Sequence, residues 1–587
     1  MMMAMAMDRI IFYFLVIFLS VTNIFAQKNK NNTTIGTQEV LVVKSYTPDL
    51  SDAFKIKNPA KLPDTLKTIN KELEYKIKSV SVVSTFQPNK ATPLKLQQRS
   101  SSTPFNTFFS GALGNKNQLY YNISSVIEID RAQRFGMQLY RDGFGGNLKN
   151  TLLKSNQNHS RFGLHHNLRS NEYNANTQIQ ITTNRNNYFG LYDTSWDNLL
   201  INTLDPEIKR SFFKLKSHWN WYDSLLRNIT FQANVNSDNY DTSEQQLALQ
   251  ADLETGLGQG NIKSEVKVQG FKTRFDSSFF ENVGEEYIQG LGAVDVFWKN
   301  NRNDLKLKIG AGITYLVGVN NVSSSLLYYP KLEISYLKLG NEVSPYFIAD
   351  GGVHQNTYKI LTELNPYLAP STKLRPTFNK FNTTFGVRTS LASVLNFDLG
   401  FIFDQVENFS YFERLPYDSQ NQNEGYRFSN SFQNQYINTD IYGLKVSVRI
   451  DLAKNNFVRF ETSYRFFDLD KDQNLWNIPS LEMNWESQFK WNDRFLFSLN
   501  GNLFGDRKAA LRPIFLKQDI NSAQITSENL PIFITTTAHI TYKIADQFDL
   551  FIKGRYNTQG IHGRWAFYPE PPFLLLTGVT YKFDFQY

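Results

Sequence analysis

The sequence predicts an all-β protein, a transmembrane antiparallel β-barrel of about 22 strands, with 18 to 22 as the range. Three observations lead there. Strand-length segments alternate apolar and polar side chains with period two. Short and long connections alternate along the chain, as in membrane barrels. After residue 26 there is no run of about 18 apolar residues that would read as a membrane helix. Aromatics reach 15% of the chain while mean hydropathy stays at −0.40, which suits strands with one apolar and one polar face.

Taken in chain order, the first element is "MDRIIFYFLVIFLSVTNIFAQ". Arg9, a short apolar stretch from Ile10 to Leu19, and Ala26 before Gln27 read as a secretory signal peptide over 1–26. The chain has no cysteine, so disulfides, thiolate metal sites and lipoprotein attachment are excluded.

Residues 27–104 form a Lys-rich arm, expected to be a partial plug or a periplasmic segment. The arm holds 13 Lys and Arg against 6 Asp and Glu, an excess of 7 beside the whole chain's +8. The remainder is therefore nearly neutral, and the positive charge belongs to one segment.

Residues 105–587 carry the barrel pattern. In "YGLKVSVRIDL", Tyr442, Leu444, Val446, Val448, Ile450 and Leu452 share one face, and Lys445, Arg449 and Asp451 the other. After "AKNN", Val458, Phe460, Thr462, Tyr464 and Phe466 repeat the pattern, which makes a hairpin. The same alternation returns around 495–503, 532–544 and 548–556. Connections near 490–493 and 545–547 are short, whereas 408–438, 468–479 and 506–530 are long. Short turns belong on the periplasmic side and long loops outside, so counting back to Asn106 puts both barrel ends at the periplasmic rim. The last strand, "YKFDFQY", places Tyr581, Phe583, Phe585 and Tyr587 on one face.

No enzyme chemistry is legible. The seven histidines (159, 165, 166, 218, 354, 539, 562) show no HExxH spacing. His165 and His166 alternate to opposite faces, and His539 falls on the polar face of its strand. "GLGQG" at 256–260 reads as a turn. No metal, no cofactor and no nucleic-acid partner is expected. What remains is aromatic and Arg chemistry in the expected extracellular loops. Tyr411, Phe412, Arg414 and Tyr417, with Trp565, Phe567 and Tyr568, are candidates for holding a ligand or protein partner. The competing reading packs these rings against one another.

"EVLVVKSYTPDLSDAFKIKNPAKLPDT", "YKIKSVSVVSTFQP" and "SGALGNKNQLYYNISS" resemble Bacteroidota outer-membrane barrels akin to TonB-dependent receptors. The resemblance implies an integral outer-membrane location, with arm and C-terminus on the periplasmic side and membrane lipid around the wall. It also implies a TonB-box-like segment at Glu39, Val40, Leu41, Val42 and Val43. Partners it implies are TonB or other envelope proteins. The barrel assembly machinery would read the aromatic C-terminal strand. That family's plug exceeds a hundred residues, so this arm departs from it. The expected function is solute passage or binding with the arm gating the lumen. The alternative is a non-transporting scaffold barrel of an envelope assembly.

Overall fold

The computed structural model describes residues 105–585, apart from 150, 192–195, 197, 281–282, 302–303, 320–322, 337–342, 392–393, 419–420, 422, 471–472 and 512–524. The expected signal peptide, the arm with Glu39–Val43, and Tyr587 lie outside the described residues.

Strands are numbered in chain order. The first six are β1 (Thr107–Gly114), β2 (Gln118–Glu128), β3 (Gln133–Phe144), β4 (Gln157–Arg169), β5 (Tyr173–Asn187) and β6 (Glu207–Trp221). Next come β7 (Leu226–Asp238), β8 (Ser243–Leu257), β9 (Gly260–Phe275), β10 (Glu285–Asn300), β11 (Leu305–Val319) and β12 (Ser325–Tyr336). They are followed by β13 (Val343–His354), β14 (Thr377–Leu391), β15 (Leu395–Arg414), β16 (Phe432–Ala453), β17 (Asn456–Asp468) and β18 (Leu481–Trp491). After β19 (Phe495–Phe504), β20 (Arg507–Leu511) and β21 (Thr526–Leu530) pair apart from the main sheet as a small hairpin. The chain returns through β22 (Phe533–Lys543), β23 (Phe548–Asn557) and β24 (Phe573–Phe583). Two short helices sit in loops, α1 (Asn198–Thr203) and α2 (Tyr358–Leu364).

The main sheet has 22 strands, all antiparallel to their neighbours, and it closes. β1 pairs with β2 on one side and with β24 on the other, from Thr107↔Phe583 to Gly114↔Leu576. Closure removes both sheet edges, the condition for backbone to stand in hydrocarbon without orphaned N–H and C=O groups. The expected strand number and fold class hold.

The outer surface is an apolar band. Leu247, Val268, Ile309, Phe385, Phe401 and Ile552 are exposed on it, while their chain neighbours turn inward. Aromatic clusters mark the short-turn rim. Trp219 stacks on Trp221 beside Tyr173, Phe495 lies between Trp491 and Tyr542, and Phe548 meets Tyr581. This is the girdle pattern of a membrane-spanning barrel. Turns at that rim use the left-handed backbone, at Gly258 in the expected "GLGQG" turn (φ 60), Asn455 (φ 69) and Asn492 (φ 57).

One boundary differs from expectation. The loop expected over 408–438 is shorter, because β15 runs to Arg414 and β16 starts at Phe432. A register shift between Val406 and Phe409, with Asn408 at φ 55, marks where the hairpin continues. Above it the alternation fades: Phe412 and Phe432 pack against other loops instead of lipid, so both faces can carry mixed side chains.

Candidate functional site

The long connections gather at the rim opposite the turns and bury a common core. Tyr188, Phe189, Tyr358, Leu368, Tyr426, Phe432 and Tyr568 belong to one cluster, drawn from loops and strand tops around the barrel. At its centre is the connection over 355–376. β13 and β14 are hydrogen-bonded neighbours, so a tight turn would join them. Instead the chain crosses the mouth.

Its first anchor is α2. Thr357 caps it, with Oγ1 accepting from the Ile360 N–H at 3.3 Å. Glu244, at the top of β8 and fully buried, accepts from the N–H of Tyr358 at 2.6 Å and of Lys359 at 3.1 Å. The same carboxylate accepts from Thr273 Oγ1 at 2.7 Å and Asn236 Nδ2 at 2.8 Å. A carboxylate at a helix start satisfies orphan N–H groups and meets the positive end of the peptide dipoles. Glu244 therefore ties the crossing loop to the wall through charge-assisted hydrogen bonds.

Arg210 at the top of β6 is the second anchor. Its guanidinium donates to the carbonyls of Pro366 at 2.6 Å and Leu368 at 2.8 Å, and to the Tyr188 hydroxyl at 3.2 Å. Tyr358 donates its hydroxyl to Asp238 at 2.8 Å, and burial beside that carboxylate pushes the phenol well above its ordinary range. Further ties come from all round the barrel. Gln157 donates to the Tyr367 hydroxyl at 2.9 Å, Gln289 to the Leu374 carbonyl at 3.1 Å, and the Asn434 N–H to Thr372 at 2.8 Å.

The loop candidates meet in this core. Phe412, Arg414, Tyr417, Trp565 and Tyr568 are buried, and Tyr411 and Phe567 are half-buried. Their rings pack largely on other loops, as the competing reading expects, and Tyr417 meets Trp196 and Phe428. Tyr568 stacks on Tyr367 with centroids 3.5 Å apart and donates its hydroxyl to the Asn430 carbonyl. Trp565 sits between Phe412 and Phe432. Arg414 donates to the Gly190 carbonyl at 2.6 Å and lies over the Phe567 ring. Two stretches 150 residues apart in sequence thus share one core. At the opposite rim Tyr581 and Phe583 stack on one another along β24, and the Phe585 N–H donates to Asn106 at 2.8 Å.

His562 gives the core a pH dependence. The Phe567 N–H donates to its Nδ1 at 3.1 Å, so that nitrogen must be unprotonated. Burial holds the imidazole below its ordinary 6.5, with Arg414 and Arg507 acting in the same direction against Glu528 at 3.5 Å. A depressed histidine contributes stability that is present above pH 6.5 and lost as pH falls through the lowered value. Protection factors over 561–568, corrected for the intrinsic pH dependence of amide exchange, are therefore expected to fall on acidification from pH 7.5 to 5. In His562→Gln they should change little, and an identical acid response in that variant would exclude the histidine as the cause.

Below the mouth the inner wall is polar, and its charges pair across strands. Lys331 bridges Asp295 at 2.9 Å and Asp350 at 2.6 Å, Lys263 reaches Asp252 at 3.3 Å, and Lys299 reaches Glu254 at 2.9 Å. Arg388 meets Asp398 at 2.9 Å, and Arg465 meets Glu482 at 3.0 Å. Partly hydrated pairs of this kind add little stability each, and they suit a wetted lumen. Cavities of about 300, 420 and 210 Å³ open along this wall. His159, His218 and His539 face it, with Asn184, Thr230 and Phe551 as their neighbours. Among the described residues no group of three or more His, Asp or Glu is placed to hold a metal ion.

A closed 22-strand antiparallel barrel, apolar outside and charged inside, with loops packed across one mouth, is the class of protein this chain defines. Solved structures share that fold. The siderophore receptor PirA from Acinetobacter baumannii aligns over 81% of this chain and 80% of its own, at 11% identity and TM-score 0.57. The FrpB iron transporter from Neisseria meningitidis (F3-3 variant) aligns over 82% of each chain, at 10% identity and TM-score 0.59. The copper transporter OprC aligns over 81% and 80%, at 11% identity and TM-score 0.55. No family model and no curated protein matches the sequence.

Proposed function

We propose that this chain is an outer-membrane conduit related in design to TonB-dependent receptors, passing or binding a hydrophilic solute through its lumen. The observation that carries this reading is the inner wall: cross-strand charge pairs with cavities between them, beneath a loop that crosses the mouth. A barrel serving only as a scaffold has no need of a wetted, charged interior. Its architectural neighbours, a siderophore receptor, an iron transporter and a copper transporter, support the transport class.

In this reading the arm over 27–104, basic by 7 charges, gates the lumen, and Glu39–Val43 offers a TonB contact. The C-terminal strand is the segment the assembly machinery reads, and the protein is not an enzyme. The packed mouth favours the scaffold reading as second, with loops or arm holding envelope partners. Planar-bilayer recording separates the two. The conduit is expected to conduct ions once its closures are removed. Silence with the arm deleted and the 355–376 loop shortened, in protein shown to be folded, would exclude it. Replacing Glu39–Val43 by glycine and serine is expected to abolish solute uptake if TonB drives it.

A further inference from the structure

We propose that the outer wall at the long-loop end of β3–β6 binds a membrane lipid with a phosphate-bearing headgroup. This goes beyond the conduit reading and does not depend on it.

Side chains alternate along a strand, so residues two and four apart share a face. Leu139, Ile181 and Phe213 are exposed on the lipid-facing side of β3, β5 and β6. Arg141, Arg185 and Lys209 therefore stand on that same outer face. Arg185 and Lys209 are exposed, and Arg141 is half-buried. Arg185 follows Tyr173, the short-turn end of β5, by 12 residues, and Lys209 precedes Trp221, that end of β6, by 12. On tilted strands this puts both about 30 Å up the wall, above an apolar band about 25 Å tall. Arg141 stands lower, and a side chain of its length snorkels up to the headgroup level.

Three rows of cross-strand neighbours make up the patch. Leu139, Phe162, Ile181 and Phe213 form the top of the apolar band. Two residues higher come Arg141, Ser160, Thr183 and Ser211, and above them Asn158, Arg185 and Lys209. Away from the membrane centre the wall is thus apolar, then hydroxylated, then cationic. A lipid presents acyl chains, ester or hydroxyl oxygens and phosphate in the same order.

The cations lack counter-charges. Arg185 and Lys209 are directly opposite each other, a placement of like charges that destabilises a sheet. Glu207 lies two residues above Lys209 on the same face, yet among the described residues none of the three cations enters an ion pair. On β9, by contrast, Glu286 meets Lys272 at 2.9 Å and lies opposite Arg274. A guanidinium beside an ammonium can hold one phosphate through several charge-assisted hydrogen bonds. The far side of the barrel is of the other sign. There Asp468, 12 residues after Asn456, faces Asp440 across β16 and β17. The cationic patch is one sector of the wall, which favours a bound lipid over general attraction to the leaflet. A soluble anion would gain nothing from the apolar row beneath, and a zwitterionic lipid would bring its own ammonium against the cations.

The test is native mass spectrometry of the full chain carried in detergent micelles. Diphosphoryl lipid A is the probe, and phosphatidylethanolamine is the control. Lipid A is expected to stay bound at concentrations where phosphatidylethanolamine does not, and to stay bound in excess inorganic phosphate. Each cation beside an anionic headgroup is worth about fivefold in affinity, so Arg141→Gln, Arg185→Gln and Lys209→Gln together should weaken retention by about 100-fold. Asp468→Asn should leave it unchanged, and every variant should keep the heat-modifiable migration of an intact barrel. No retention of lipid A, equal retention of phosphatidylethanolamine, or displacement by inorganic phosphate would each overturn the proposal. So would undiminished retention in the triple variant, or an equal loss in Asp468→Asn.

Discussion

Glu244→Ala is expected to unlock the mouth while leaving the barrel wall intact. Among the described residues the carboxylate alone both binds the start of α2 and joins the wall, with Asn236 and Thr273 on its other flank. Hydrogen bonds to an ionised group are worth about 1.5–3 kcal/mol each. Losing the two to α2 should shift the balance between docked and released loop by about 3–6 kcal/mol, a factor of about 10²–10⁴. Hydrogen exchange over 358–364 should accelerate by that order, while β8 and β14 keep their protection. Glu244→Gln is a sharper variant, because it keeps the volume but turns an amide N–H₂ toward donors. It should release the loop nearly as well. Unchanged exchange in both variants would show that Arg210 and the aromatic core hold the crossing without Glu244.

The barrel was legible because lipid imposes a rule on every strand. Tyr442, Leu550, Ile552 and Tyr556 must face hydrocarbon, so alternation survives wherever the wall crosses the membrane. Strand number and turn positions followed from the same rule. The mouth obeys no such period. Its residues are chosen for contacts across hundreds of positions, as in Arg210 with Leu368 or Arg414 with Gly190. Nothing in the neighbourhood of Trp565 announces that Phe412 and Phe432 will enclose it. The aromatics of the two loops were visible as a group, but their burial was not. Glu244 sits in "DTSEQQLALQ", where it reads as one more polar residue at a strand end. One clue to its partner was present: Thr357 before "YKILTEL" is an N-cap followed by a short helical run, at the point where adjacent strands need only a turn.

Excising the crossing loop together with the arm should have the largest effect of all, and it decides how the proposed conduit is closed. Residues 356–376 can be replaced by a short Gly-Ser turn, because β13 and β14 are already paired at His354↔Thr377. That removes the anchors on Glu244 and Arg210 together and leaves the other loops without their centre. If the arm occludes the lumen as proposed, the two closures act in series and conductance follows the tighter one. With the loop across the mouth, deleting 27–104 alone is expected to change conductance by less than twofold, and excising the loop alone should do as little if the arm also blocks. Only the double deletion should give a large, steady current, at least tenfold above either single change. A large current from loop excision alone would show that the arm does not occlude, and its +7 charge would then point to a periplasmic contact. A large current from arm deletion alone would show that the packed mouth leaks ions, and the crossing loop would lose its standing as a gate. The four conductances therefore assign closure to arm, loop or both, without any knowledge of the solute.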